Sequence, residues 1–162
     1  MNAIYPGTFD PMTNGHLDIV ERGVLLFNHL TIGVAENKRK TPMFSIDERV
    51  EIVKDAVKHL ENVRVKSFSC LLVDFMRQEN AKIILRGLRA VSDFEFEFQL
   101  ALMTRKLDEE CVTVFLMPNN KSIFLSSSMI REIAMLGGDV SQMVPEKAVE
   151  FIKRKYKNDT SK

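Results

Sequence analysis

The residues best suited to chemistry are a histidine and several hydroxyl side chains near the start of the sequence. His16 follows Gly7, Thr8 and Thr13 in the stretch AIYPGTFDPMTNGH. A helix beginning at this point would offer unpaired backbone N–H groups and the positive end of its dipole, which together suit a phosphate. Glycine allows close approach of the backbone, and a threonine hydroxyl adds a donor. Thr13 is also suited to cap a helix, and a capping role is compatible with a catalytic one.

A second candidate anion site lies in the stretch SIFLSSSMIR. Ser126, Ser127 and Ser128 fit the start of a helix, with Arg131 about one turn further on. A cap requires one serine, so three hydroxyls together with the helix N–H groups indicate an anion site, while capping remains the alternative.

Cations follow two further predicted strands. Arg86 and Arg89 flank Gly87, and Lys40 stands in the basic stretch ENKRKTPM. Arginine suits bidentate contact with phosphate oxygens, and the glycine permits a sharp loop. The alternative is that these are solvated surface residues, as the two basic residues directly before Lys40 suggest.

Periodicity predicts the elements that would carry these loops. Apolar runs and alternation predict five strands, and apolar spacings of three and four predict the helices between them. Such an order is typical of an α/β fold, a doubly wound, Rossmann-like domain with a five-stranded parallel sheet. Ligands of open parallel sheets bind at the carboxyl ends of the strands, so the loops at 6–16, 86–93 and 118–128 become the candidate site. The predicted strands contain AIY, LTIGVAE, NVRVKSF, KIILRG and CVTVFLM.

One segment gives conflicting signals. In DFEFEFQLALMTRKL the three phenylalanines at 94, 96 and 98 alternate with glutamates, as in a strand. The good helix formers through Leu107, with Asp93 as a plausible N-cap, favour a helix. Ser45 and Glu48 form the pattern of a capping box at the start of another helix.

The bulk composition narrows the class of protein. The 162 residues are 45% hydrophobic with a net charge of +1, which predicts one compact domain over 1–162, with a frayed tail from about 157. Near-neutral charge argues against a general nucleic-acid or membrane-surface binder, and no apolar stretch approaches the roughly 20 residues of a membrane span. Cys70 and Cys111 lack metal-ligand spacing and are expected to be small buried hydrophobes in a reducing, cytoplasmic compartment. The histidines have no zinc-ligand spacing either, so no protein metal site is predicted.

Four motifs, in this order, resemble those of the phosphopantetheine adenylyltransferases, a family of the nucleotidyltransferase superfamily. Residues 13–16, TNGH, match the signature T/H-x-G-H, and LSSSMIR matches I-S-S-S/T-x-x-R/K with Leu125 in place of isoleucine. KTPMF and RGLRAVSDFEFE, which lie between them, are similar to this family in particular. The resemblance covers the chain from Ala3 to about Lys155.

The resemblance implies an enzyme that transfers the adenylyl group of ATP to 4′-phosphopantetheine, giving 3′-dephospho-coenzyme A and pyrophosphate. It further implies a cytoplasmic homohexamer that needs Mg²⁺, held mainly by the ATP phosphates, and feedback inhibition by coenzyme A. The attacking phosphate monoester is already ionised, so direct in-line attack needs no general base and no covalent intermediate. Catalysis then depends on positioning and electrostatics.

The resemblance also implies roles for individual residues. His16 and Thr8 would stabilise the transition state at the α-phosphate, with Lys40 and Arg89 also in the catalytic set. Thr8, Lys40 and Arg86 would hold the phosphate of phosphopantetheine, and Leu72 would contact the pantetheine arm. The implied ATP-binding residues are Thr8, Phe9, His16, Gly87, Leu88, Arg89, Glu97, Ser122, Ile123, Phe124, Leu125, Ser126, Ser127 and Ser128.

The sequence departs from the family pattern at two positions, and two alternative functions remain. Phe96 stands where many members have tyrosine, and Ser122 where some have an aromatic residue, so the adenine pocket is expected to differ in shape. A sister activity, adenylyl transfer to nicotinamide mononucleotide or cytidylyl transfer to an alcohol phosphate, is the first alternative. A nucleotide or coenzyme A sensor without turnover is the second, although both signature loops keep their polar groups.

Overall fold

The fold is a parallel sheet with helices on both faces, as predicted. The computed structural model describes residues 1–36 and 41–159. Over these residues all neighbouring strands pair in parallel, in the order β3-β2-β1-β4-β5. The strands are β1 (Asn2–Gly7), β2 (His29–Ala35), β3 (Val63–Phe68), β4 (Ile83–Gly87) and β5 (Val112–Leu116).

Helices connect the strands and close the chain. They are α1 (Asn14–Gly23), α2 (Ile46–Ala56), α3 (Leu72–Gln78), α4 (Val91–Leu107), α5 (Ser127–Met135) and α6 (Glu146–Asp159). The predicted capping box at α2 is confirmed, because the Ser45 hydroxyl accepts the Glu48 N–H and the Glu48 carboxylate accepts the Ser45 N–H. Helix α6 continues into the first three residues of the predicted tail.

The site is located by the central strand. β1 pairs with β2 from Asn2↔His29 to Gly7↔Val34 on one side, and with β4 at Ala3↔Ile83 and Ile4↔Ile84 on the other. The chain therefore winds outward in both directions from β1, and the loops after β1 and β4 leave the sheet on either side of one crevice. In doubly wound sheets such a switch point is where ligands bind.

Alternation along β1 divides the core between the two faces of the sheet. Ala3 and Tyr5 belong to the larger apolar cluster, whereas Ile4 packs in a smaller cluster with Phe75 and Ile84. Because both faces are covered, β1 is apolar from Ala3 to Pro6, as buried parallel strands usually are.

The conflicting segment is a helix, but its start differs from the prediction. Ala90 occupies the N-cap position of α4 without a side-chain cap, and Asp93 lies in the first turn, where it pairs with Arg89. Phe94 and Phe98 stack at 5.6 Å, as residues four apart on a helix can. The alternation of phenylalanines therefore reflects an exposed apolar surface and not a strand.

The prediction that both cysteines are buried is wrong for one of them. Cys111 is buried against Met76, while Cys70 is exposed in the connection between β3 and α3. Within the described ranges, every helix is too short or too polar to traverse a bilayer.

Candidate active site

A cavity of about 790 Å³ opens at the carboxyl edge of the sheet, where the three predicted loops meet. Its volume is in the range of small-molecule sites. Thr41 and Pro42, before α2, also reach it. The loop and helix residues that line it include Thr8, Phe9, Asp10, Thr13, His16, Arg86, Gly87, Arg89, Asp93, Phe96, Glu97, Pro118, Leu125, Ser126, Ser127, Ser128 and Arg131.

His16 is held by the cap of its own helix. It is the third residue of α1, and its backbone N–H donates to the hydroxyl of Thr13 at 3.3 Å. In return its ring Nδ1 accepts the backbone N–H of Thr13 at 3.0 Å. Because Nδ1 is an acceptor, the proton of the neutral ring lies on Nε2, which is left as a donor.

His16 is uncharged at neutral pH. Burial, reinforced by the positive charge of Arg89, lowers the pKa of His16 to about 4. Its ring lies edge-on to Phe9, with centroids 5.3 Å apart, and Phe9 in turn lies 5.4 Å from Tyr5. This apolar packing disfavours the imidazolium and fixes the plane of the ring.

Two arginines form the opposite side of the cavity, and each faces a carboxylate. Arg86 Nε lies 3.4 Å from Glu97 Oε2, and Arg89 Nε lies 2.9 Å from Asp93 Oδ2. Arg89 also donates to the carbonyl of Leu125 at 2.9 Å, which joins the loop after β4 to the loop after β5. Burial raises the pKa of Glu97, an effect that the charge of Arg86 opposes. A bound phosphate can replace these carboxylates as the arginines' partner.

The three serines have different partners. The Ser126 hydroxyl caps α5 by accepting the Met129 N–H at 3.2 Å, so the capping interpretation holds for this residue. Ser127 donates to the Pro11 carbonyl at 2.8 Å, and Ser128 accepts from Arg131 at 3.3 Å. The two signature loops are therefore in direct contact.

Several predicted site residues are not part of the described cavity wall. Leu72 packs against the smaller core cluster at the start of α3. Ser122 is a buried residue of the loop after β5, and its carbonyl comes so close to α1 that a Cβ on Gly15 would lie 3.0 Å from it. Lys40 lies outside the described residues. Leu88, Ile123 and Phe124 are also absent from the wall as described.

Sequence reasoning missed a buried carboxylate in the first loop. Asp10 is 4% exposed, and its two oxygens accept the backbone N–H groups of Met43 and Phe44, each at 2.9 Å. Arg131 of α5 lies 3.5 Å from the same carboxylate and donates to the Asp10 carbonyl. No local pattern marks this role, because the partners are far away in the sequence.

A second missed contact supports the loop after β5. The Asp18 carboxylate accepts the backbone N–H and the side-chain amide of Asn119 at 3.0 and 2.7 Å. The Asn119 side-chain oxygen in turn accepts the Ser122 N–H at 3.0 Å. Helix α1 therefore shapes the loop that carries the second signature.

The acidic groups of the cavity wall are already engaged or lie beside arginines. Across residues 1–36 and 41–159, no group of three or more His, Cys, Asp or Glu side chains is placed to hold a metal ion.

Comparison with known proteins fits this geometry. A family described as cytidylyltransferase-like matches residues 4–133. A protein of Azoarcus sp. (strain BH72) named phosphopantetheine adenylyltransferase is 54% identical over 153 residues, which is 94% of each chain. In fold, the chain is similar to a crystal structure from Vibrio parahaemolyticus described as a nicotinate-nucleotide adenylyltransferase. The superposition of the two structures has a TM-score of 0.68 and covers 93% of this chain and 97% of the other, and the two sequences are 18% identical. The chain belongs to the phosphopantetheine adenylyltransferase family of cytidylyltransferase-like nucleotidyltransferases.

Proposed function

We propose that the protein transfers the adenylyl group of ATP to 4′-phosphopantetheine, giving 3′-dephospho-coenzyme A and pyrophosphate. The observation that carries this proposal is one cavity that combines the neutral His16 imidazole, the hydroxyl-rich start of α5 and two arginines. These groups suit polyanions that must be brought together, and the family membership supplies the substrates.

The chemical step needs electrostatic stabilisation and not a base. An oxygen of the substrate phosphate attacks the α-phosphorus of ATP in line, and pyrophosphate leaves from the opposite side. The Nε2–H of His16 and the hydroxyl of Thr8 donate to the oxygens of the α-phosphate as negative charge grows there. Donors already fixed in place, as Nε2–H is by the Thr13 contacts, give the greatest stabilisation at the transition state.

The two arginines divide between the substrates in this proposal. Arg86 and Lys40 bind the phosphate of phosphopantetheine, and Leu72 contacts its pantetheine arm. Arg89 and Glu97 bind ATP, and Arg89, which lies close to His16, also serves the transition state. The remaining ATP contacts come from residues 87–88, 122–128 and Phe9.

Mg²⁺ fits this site as a partner of ATP. The carboxylates in the cavity wall lie beside arginines or accept backbone N–H groups, so the protein leaves most of the coordination to phosphate and water. When bound, the ion would neutralise charge on the phosphates. Asp93 and Glu97, which line the cavity beside Arg89 and Arg86, are the carboxylates that would contribute a ligand to the ion.

Coenzyme A is proposed as a feedback inhibitor in the same cavity, because it contains the whole product and one further phosphate. We place the reaction in the cytoplasm. Both cysteines are free thiols, as is usual for proteins of a reducing compartment.

Self-association to a homohexamer is part of the proposal. Helix α4 exposes Phe94, Phe98, Leu102 and Met103, and large exposed apolar surfaces commonly mark protein contacts. Light scattering at micromolar concentration should give the mass of six chains, and the mass of one chain would contradict this part.

The activity is tested by measuring pyrophosphate release from ATP with phosphopantetheine and, separately, with nicotinamide mononucleotide. Pyrophosphate release is expected with ATP and phosphopantetheine, and not with ATP and nicotinamide mononucleotide. Release only with nicotinamide mononucleotide would favour the sister activity, and nucleotide binding without product would favour a sensor. Lys40→Ala should mainly raise the KM for phosphopantetheine, and a rise in the KM for ATP instead would reassign this lysine.

A further inference from the structure

A buried arginine lies behind the cavity and contacts the loop that carries Thr8. Arg49, in the first half of α2, is 2% exposed. Its Nη1 donates to the carbonyls of Thr8 and Ala35 at 2.8 and 2.9 Å, and its Nε donates to the carbonyl of Phe44 at 3.2 Å. One guanidinium therefore joins the loop after β1, the end of β2 and the start of α2.

The residue next to Thr8 has an unusual backbone conformation. Phe9 has a φ of 50°, in the left-handed region that residues with side chains rarely adopt. Such a conformation persists where the surrounding contacts over-determine it. Here the preceding carbonyl is held by Arg49, and the following residue, Asp10, is held by the N–H groups of Met43 and Phe44.

The strained conformation has a consequence inside the cavity. The left-handed turn buries the Phe9 ring, 2% exposed, edge-on against His16. It also sets the direction in which the chain leaves Thr8. If the backbone at Phe9 relaxed, the Thr8 hydroxyl and the plane of the His16 ring would both shift.

We propose that Arg49 is a positioning residue for adenylyl transfer, which holds Thr8 and Phe9 in the geometry that the transition state requires. The inference rests on the proposed catalytic roles of Thr8 and His16. Arg49 does not line the described cavity wall, so it acts through these residues and not on the substrate.

The residue type fits this role. The carbonyls of three separate chain segments need donors spread over a planar fork, which arginine supplies and the single ammonium of lysine does not. Asp10 lies close enough to favour the charged guanidinium electrostatically, which offsets part of the cost of burying it.

The test is a double-mutant cycle between Arg49→Lys and Thr8→Ala, with kcat and the KM for ATP measured on each variant. Thr8→Ala is expected to lower kcat. Arg49→Lys is expected to lower kcat on the order of 10²-fold, as misplacement of reacting groups can, with the KM for ATP changed less than about threefold. In the Thr8→Ala background the same arginine change should cost clearly less than in the unchanged protein, because the hydroxyl that it positions is already gone and only its effect through His16 remains.

A stability control separates positioning from a loss of folded protein. Val53→Ala, in the same helix and fully buried, should lower the thermal midpoint while leaving kcat of the folded enzyme unchanged. If Arg49→Lys does not fold, Arg49→Gln, which retains a planar donor, replaces it in the same cycle.

Two results overturn the inference. One is an unchanged kcat in a folded Arg49 variant, and the other is multiplication of the two losses in the double variant. If Thr8→Ala itself has no effect on kcat, the proposed role of Thr8 fails instead, which distinguishes the two proposals.

Discussion

The two sides of the cavity hold their polar groups in different ways. Residues 8–16, here the loop wall, are fixed by contacts to backbone groups, such as Asp10 with two N–H groups and Nδ1 of His16 with a third. Residues 86–97, here the arginine wall, are held by ion pairs between partly exposed side chains. Side chains fixed by buried backbone contacts have little freedom, whereas a partly exposed ion pair can exchange its partner at little cost.

This difference separates rigid from adaptable tasks within one site. The loop wall provides donors that must already be in place when charge develops. The arginine wall provides cations that can leave Asp93 and Glu97 for incoming phosphates. Changes in the loop wall should therefore lower kcat, and loss of Arg86 from the arginine wall should mainly raise KM.

The largest effect is expected from His16→Ala. Removal of a preorganised donor should lower kcat by about 10²- to 10³-fold, because that hydrogen bond is strongest in the transition state. The dissociation constant of ATP, measured by calorimetry, should change less than about threefold. His59→Ala, on the exposed side of the molecule, is the matched control. Equal losses in binding and turnover would contradict a transition-state role.

A smaller effect, on KM and not on kcat, is expected from Arg86→Met. Loss of the charge-assisted contact between Arg86 and the substrate phosphate should raise the KM for phosphopantetheine about tenfold. The effect is no larger because Arg86 gives up its pairing with Glu97 when it binds the phosphate. Steady-state kinetics with ATP saturating provide the measurement. Arg77→Met, whose ion pairs with Asp74 and Asp108 lie elsewhere, should leave this KM unchanged. A loss confined to kcat would remove the distinction between the two walls.

Thr13→Ala tests how the loop wall is held. Loss of the cap should lower the free energy of unfolding by about 1 kcal/mol. The fall in kcat should be only a few-fold, because the backbone N–H of Thr13 still fixes Nδ1 of His16. Ser45→Ala, which removes the cap of α2, should cost similar stability in chemical denaturation but leave kcat unchanged. A loss in kcat as large as that of His16→Ala would show that the hydroxyl, and not the N–H, orients the ring.

The smallest effect is expected on the ionisation of His16 near neutral pH. Since the pKa of His16 is lowered to about 4, the ring stays neutral between pH 5.5 and 7.5, and its NMR resonances should barely move across that range. As pH falls, an unfolded histidine takes up its proton near pH 6.5, while the folded ring stays neutral until pH approaches 4. His16 therefore makes the fold less stable as pH falls from 6.5 toward 4. The stability difference between the protein and His16→Ala should shift in favour of the variant over that interval. A titration midpoint near 6.5 would contradict the neutral ring.

Local sequence was sufficient to predict the fold class and the three loops that form the site. The spacing of apolar residues follows directly from helix and strand geometry, and parallel strands bring their carboxyl ends to one edge of the sheet. Accordingly the predicted α/β fold and the meeting of the loops after β1, β4 and β5 are confirmed. The predicted cap at Thr13 is also confirmed, because its partner lies only three residues away.

Contacts between distant segments were not predictable in this way. Arg49 reads as an ordinary polar position of an amphipathic helix, yet its partner Thr8 is 41 residues away. Asp93 was predicted as a helix cap but pairs with Arg89, and Cys70 was predicted as buried but is exposed. Each outcome depends on what packs against the residue, which local propensity does not contain.

Residue types and spacing thus established the fold class, the edge of the sheet that carries the site, and the histidine, serines and arginines suited to phosphate. Tertiary packing decided the ionisation state and tautomer of His16, the partners of both arginines, and the backbone held around Phe9. The physical reason is the distance over which each effect acts. Periodicity and capping act over a few residues, whereas burial and electrostatics sum over every group that the fold brings near.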